Sequence, residues 1–225
     1  MPRGQLKEII RDLEIIFEKI GRVDEIVILG DLKHEFGIIS EQEWKETLAV
    51  LDFLKTKCEK IVLIRGNHDK ILGPIAEKLN QGFRNEIPDS AQKSSDFRHS
   101  ATPILLRDFY IIDDFCFIHG NLAFEEIYGK KIKFLVMGHR HPAVMISDKY
   151  KKERYKCFLV GKWKKKKVII LPSFFPLVEG SDIINSEEKN LLFIPESKLR
   201  DFCVYAVSGL DVLKFGKLGK IERLE

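Results

Sequence analysis

Four short polar clusters stand directly behind apolar runs. They are Gly30-Asp31-Leu32-Lys33-His34 after EIVIL, Gly66-Asn67-His68-Asp69 after KIVLI, His119-Gly120 after FCFI, and Gly138-His139-Arg140-His141 after KFLVM. Each sets Asp, Asn or His in a turn beside a glycine, where the backbone can come close to a ligand. Asp31, Asn67, His119, His139 and His141 offer a carboxylate, an amide oxygen and imidazoles. That donor set suits borderline divalent ions such as Mn²⁺, Fe²⁺ or Zn²⁺. A carboxylate can bridge two ions, and an ion pair about 3.5–4 Å apart suits in-line attack at phosphorus. Taken singly, the clusters have plainer readings. An Asp behind a strand is a turn or cap residue, and a lone His is a surface or core imidazole. GHRH is sharper, because two imidazoles one residue apart suit chelation or two adjacent ions. All but one of the six histidines fall in these clusters; His99 lies in a polar stretch.

The flanking patterns indicate what positions them. Leu6, Ile9, Ile10, Leu13, Ile16, Phe17 and Ile20 make one helical face, and Gly21 follows as a stop. EIVIL (25–29) and KIVLI (60–64) read as short buried strands. Between them, Ser40 with Glu43 is a capping box that opens a helix carrying Trp44, Leu48, Leu51 and Leu54. A further helix is expected over 71–79, with Pro74 in its first turn. This alternation predicts an α/β layer with a parallel sheet, whose ligands gather beyond the carboxyl ends of the strands. A polar stretch over 85–102 reads as an exposed loop. The pattern then turns antiparallel: a hairpin around Asp113-Asp114, a short helix around 122–128 and the strand KFLVMGHRHP. Strands follow over 143–147, 154–160, 168–171, 202–207 and 211–215, with a last short one near the terminus. Without a repeat or linker, residues 1–225 read as one domain with two sheets face to face.

At 225 residues with 44% hydrophobic and 32% charged content, the chain has the composition of a globular domain. It contains no apolar run of membrane-spanning length. MPRGQLKEII lacks the apolar segment of a signal peptide, and a cytoplasmic location is expected. The four cysteines are scattered inside apolar runs without a CxxC pair, so reduced buried thiols are expected. The net charge of +4 is too small to diagnose nucleic-acid binding. The stretch from Lys149 to Lys167, ending in KWKKKK, is nevertheless strongly basic. Lys164, Lys165, Lys166 and Lys167, with Arg140, are candidate phosphate contacts. The plainer reading is a solvated hairpin whose lysines guard a strand edge.

The order GDxxH, GNHD, HG, GHxH resembles the calcineurin-like metallophosphoesterase family. GDLKHEFG and LPSFFPLVEGSDI (171–183) are similar to its archaeal SbcD-related subgroup. The resemblance covers nearly the whole chain. It implies a four-layer αββα sandwich, in which two facing mixed sheets are flanked by helices. It also implies hydrolysis of phosphodiesters, DNA or RNA ends among them, by a metal-bound hydroxide. Asp31 would bridge the ions, Asn67, His119 and His139 would complete one site, and His141 would serve the other. His68 would protonate the leaving oxygen, Asp69 would orient His68 and raise its pKa, and His34 would support Asp31 from behind. Mn²⁺ is the expected ion, with Fe²⁺, Zn²⁺ or Ni²⁺ as substitutes and one or two bound. The family opens with a strand ending in Asp-x-His, and none precedes His34 here. Either that strand lies upstream of Met1, the favoured reading, or the short form binds one ion and turns over weakly. Two other functions stay open: a nucleic-acid-binding or scaffolding member without turnover, and a single structural zinc or iron site.

Overall fold

The computed structural model describes residues 4–32, 41–69, 102–147, 152–184 and 192–221. The chain clusters into two compact units, Met1–Asp108 and Phe109–Glu225.

In the first unit, α1 (Gly4–Ile20) carries the predicted apolar face and ends at Gly21. With φ at 73°, Gly21 adopts the left-handed conformation that closes helices, and its N–H donates to the Phe17 carbonyl at 2.8 Å. Strand β1 (Val23–Ile28), helix α2 (Glu41–Lys55), strand β2 (Cys58–Ile64) and strand β3 (Ile104–Arg107) follow. The strands form a parallel sheet in the order β1-β2-β3. Strand β3 departs from expectation. Its ILLR run is short, stands between Pro103 and Asp108, and is assigned to no element in the sequence. Phe17 of α1 and Leu51 and Leu54 of α2 pack with Cys58, Ile61, Leu63 and Ile104 of the sheet. Leu51 is fully buried, so truncating it to Ala would cost about 2–5 kcal/mol. The expected helix over 71–79, the loop expected over 85–102 except Thr102, and Ser40 and His34 lie outside the described residues.

The second unit holds β4 (Phe109–Ile112), β5 (Phe115–Ile118), β6 (Phe134–Met137), β7 (Pro142–Ser147), β8 (Lys152–Trp163), β9 (Lys166–Ile170), β10 (Ser181–Asp182), β11 (Cys203–Ser208) and β12 (Asp211–Lys217). They form one mixed sheet. Its path runs β10-β7-β8-β9-β6-β5-β4, with β11 joined to β8 and β12 to β11. Strands β5, β6 and β9 are parallel neighbours, and the predicted β4–β5 hairpin turns at Asp113-Asp114. Strand β8 is longer than the 154–160 segment expected, because it serves three partners. It pairs with β7 near its start, with β11 at its middle and with β9 towards its end.

Leu135, Met137, Leu159, Ile170 and Phe202 belong to the core of this unit. A Cβ on Gly161 would stand 2.1 Å from the Phe202 ring, so glycine there makes room for the largest fully buried side chain among the described residues. A methyl at that position would overpack the core at about 1–3 kcal/mol. The helix expected around 122–128 is a 3-10 turn, Glu125–Tyr128, and α3 (Glu196–Leu199) is a single turn. The last segment corrects the reading. Helix α4 (Leu218–Ile221) replaces the short strand, with Leu218 buried and its N–H on the Phe202 carbonyl at 2.9 Å.

All four cysteines are free; Cys58, Cys116 and Cys157 are buried and Cys203 half-buried. Among the described residues, no helix is long and apolar enough to cross a membrane.

Candidate functional site

In the first unit the turns behind β1 and β2 are neighbours, because their strands pair in register, Ile28 opposite Leu63. Gly30 and Asp31 both adopt positive φ, 87° and 52°. For Asp31 that conformation costs on the order of 1–2 kcal/mol, and the surrounding bonds hold it. The Asp31 N–H donates to Asp69 Oδ2 at 2.6 Å, and the Gly66 N–H donates to the same oxygen at 3.0 Å. In return the His68 N–H donates to Asp31 Oδ1 at 3.2 Å. Asp69, 2% exposed, thereby ties the two turns together, a duty the sequence did not suggest. Gly66 faces Asp31 so closely that a Cβ would stand 2.2 Å from Oδ1 and 2.6 Å from the backbone nitrogen. Asn67 is exposed and His68 half-buried at the same turn.

In the second unit the turns behind β5 and β6 are neighbours for the same reason, Ile118 pairing with Met137. The Gly138 N–H donates to the His119 carbonyl at 2.8 Å, which extends the pairing into the turn. His119 Nε2 lies 3.0 Å from His139 Nδ1, with ring centroids 4.8 Å apart. His119 is 2% exposed, while His139 is half-buried. Two nitrogens bound to one ion at about 2.0–2.1 Å each stand roughly 3–3.5 Å apart, so the two rings are spaced as co-ligands. His139 and His141 sit at φ 63° and 45°, as strained as Asp31.

His141 is held from a distant part of the chain. Its carbonyl accepts the Ser181 N–H at 2.8 Å, and a Cβ on Gly180 would come within 2.5 Å of that carbonyl oxygen. Lys156 Nζ donates to the carbonyls of Ser173, at 3.1 Å, and Phe175. The LPSFFPLVEGSDI segment is thus clasped between β8 and the His141 turn. The sequence singles out Gly66 as a turn glycine, but not the roles of Lys156 and Gly180. Glycines behind strands and the GSD turn were visible signals, but their opposing atoms were not.

Two of the expected substrate contacts, Arg140 and Lys166, are buried and paired within the protein. Arg140 is 3% exposed and its guanidinium pairs with Glu196 at 3.4 Å, a strut between the GHRH turn and α3. Lys166 is 6% exposed and its ammonium donates to the carbonyls of Gly129 at 2.7 Å and Ile132 at 2.6 Å. A lysine desolvated this way serves the fold, because its charge is met by carbonyl oxygens. Lys164, Lys165 and Lys167 are exposed. The whole run lies at the far end of the sheet from the histidines. Lys167 pairs with Phe134 at the start of β6, whereas His139 stands beyond its finish.

Residues 2–204 match the sequence profile of the calcineurin-like phosphoesterases. No curated protein matches the chain. Among solved structures, a single mutant of Vps29 from Entamoeba histolytica is similar at 12% identity and TM-score 0.35, over 90% of this chain and 89% of that one. A double mutant of the same protein gives 12% identity and TM-score 0.34, over 96% and 91%.

Proposed function

The chain belongs to the calcineurin-like phosphoesterase family, and on that premise we propose that it is a metal-dependent phosphodiesterase acting on nucleic-acid ends. The His119–His139 pair carries the reading: two imidazole nitrogens 3.0 Å apart, at the ends of adjacent parallel strands. Asp31, Asn67, His119, His139 and His141 are the ligands of the proposal, with Mn²⁺ as its ion, one or two bound. When bound, the ion supplies Lewis-acid charge and an activated water for attack at phosphorus. The chain's own residues supply the rest. His68, fixed through its N–H to Asp31, hands a proton to the leaving oxygen. Asp69 fixes the two turns that carry these groups. GDLKHEFG and LPSFFPLVEGSDI support membership of the archaeal SbcD-related subgroup.

Hydrolysis of bis(p-nitrophenyl) phosphate tests the proposal. We expect turnover with Mn²⁺, loss in Asp31→Asn and His139→Ala, and at least a tenfold weaker Mn²⁺ affinity in the latter by calorimetry. An absence of hydrolysis with every divalent ion tried would sink it. The reading of a nucleic-acid binder without turnover draws on the exposed lysines at the far end of the second unit's sheet.

A further inference from the structure

The second unit contains a basic pocket that the proposed chemistry does not use. Tyr128, Lys130, Lys133, Lys164, Lys165 and Lys166 line a cavity of about 440 Å³. Its floor is built rather than incidental. Buried Lys166 ties the β8–β9 hairpin to the 129–132 segment through its two carbonyl bonds. Lys164 is held at the rim, its ammonium 4.3 Å from the Tyr128 ring centroid and 4.7 Å from that of Trp163. Trp163 is itself steadied by an edge contact with Phe193 at 5.4 Å. Lys133 pairs with Asp114 at 3.1 Å, and Glu125 and Glu126 sit in the turn that ends at Tyr128. Among the described residues, none of Lys130, Lys164 and Lys165 has a carboxylate at ion-pair distance. Their like charges converge on a cavity of nucleotide size.

The register fixes where this pocket lies. Lys164 and Lys165 form the turn before β9, next to the start of β6, while His119 and His139 follow the ends of β5 and β6. About six residues separate the two levels, roughly 20 Å at 3.3 Å per residue. A small phosphate ester at the histidines cannot reach the lysines. A polymer can. We infer that the pocket holds a nucleotide of a single-stranded nucleic acid some distance along the strand from the scissile bond, its phosphates on Lys130, Lys164 and Lys165 and a base against Tyr128. Lysines that track phosphates beside an aromatic face are how single strands are held without sequence preference. The inference rests on the phosphodiesterase reading for its purpose, and the pocket needs no metal to bind.

Fluorescence anisotropy of labelled oligothymidine with the full chain in EDTA is the test. Wild type should bind with a salt-dependent affinity. Lys164→Gln with Lys165→Gln should weaken binding at least tenfold and lower the salt slope by about 1.4, from 0.7 per phosphate contact on single strands. Tyr128→Ala should weaken it at least fivefold, and Lys130→Gln on the opposite wall must act in the same direction. Unchanged affinity in all these variants, or no binding by wild type, overturns the inference. So does a double variant that loses only phosphatidylserine vesicles or inorganic tripolyphosphate while keeping the oligonucleotide. Small-ester hydrolysis by wild type separates the two readings. Hydrolysis without oligonucleotide binding refutes the pocket alone, and binding without hydrolysis refutes the metal chemistry alone.

Discussion

Asp69 Oδ2 accepts the N–H of Asp31 at 2.6 Å across 38 residues of sequence, and so one buried carboxylate fixes the turn that carries another. The same oxygen takes the Gly66 N–H, so both of its partners are backbone groups. Asp69→Ala should therefore destabilise the first unit by about 1–3 kcal/mol for each N–H left without its acceptor. Asp69→Asn keeps an acceptor and loses the charge that strengthens both bonds, and should fall between. Urea unfolding of the three proteins reads the order; equal stability of wild type and Asp69→Ala would show that the tie does not bear on the fold.

Gly66→Ala should act on Asp31 more than on the core. The added methyl would fall 2.2 Å from Asp31 Oδ1, and the turn must move to admit it. We expect Mn²⁺ affinity to drop at least tenfold by calorimetry while the far-ultraviolet circular dichroism is unchanged. Wild-type affinity in this variant would mean that Asp31 does not touch the ion.

His68 has a role that its leaving group can report. Removing a general acid typically costs about 10²–10⁴-fold in rate. His68→Ala should lose that much on alkyl phosphodiesters, whose leaving oxygen needs a proton. It should lose much less on p-nitrophenyl esters, which depart as stable anions. Equal losses on both would assign His68 to charge stabilisation or binding instead.

The buried thiols give a readout of packing that is independent of activity. Desolvation raises the Cys157 thiol from 9.0 to about 12, with the Asp182 charge adding to the effect. Desolvation likewise raises Cys116 to about 11, helped by Glu126 and opposed by Lys166. An acid whose folded pKa is raised stabilises the fold fully below its unfolded value. That contribution is lost as pH rises through the folded one, here between about 9 and 11–12. At pH 8 the thiolate fraction of both is roughly one in a thousand or less. Iodoacetamide followed by mass spectrometry should label Cys203 first, and Cys116 and Cys157 only after denaturant is added.

The strand-end logic was legible in the sequence. EIVIL and KIVLI are short, branched and bounded by Gly-polar pairs, and the structure sets them side by side and parallel. GHRH and HG also read correctly as turns behind strands, since β5 and β6 are parallel neighbours. What stayed hidden depends on partners far along the chain. Lys166 looks like Lys164, Lys165 and Lys167 in a run of four. Only the carbonyls of Gly129 and Ile132, more than thirty residues earlier, distinguish it. Nothing in the sequence around Arg140, between two candidate ligands, points to the Glu196 carboxylate that pairs with it. The distance between the lysine run and the histidines is a matter of strand register, which composition does not encode. The terminal residues 218–221 failed for a local reason: a four-residue helix is too short to show a period.

The β8–β9 hairpin turns on two lysines at φ 45° and 68°, a two-residue loop flanked by the Trp163–Lys166 pair. Such turns favour Asn-Gly, and a side-chain-bearing residue in this conformation forgoes roughly 1–2 kcal/mol. Asn-Gly at 164–165 would recover part of that and tighten the hairpin, and it would also erase both charges from the rim of the pocket. A search for thermostable variants and a search for tighter strand binding would thus select opposite residues at the same two positions.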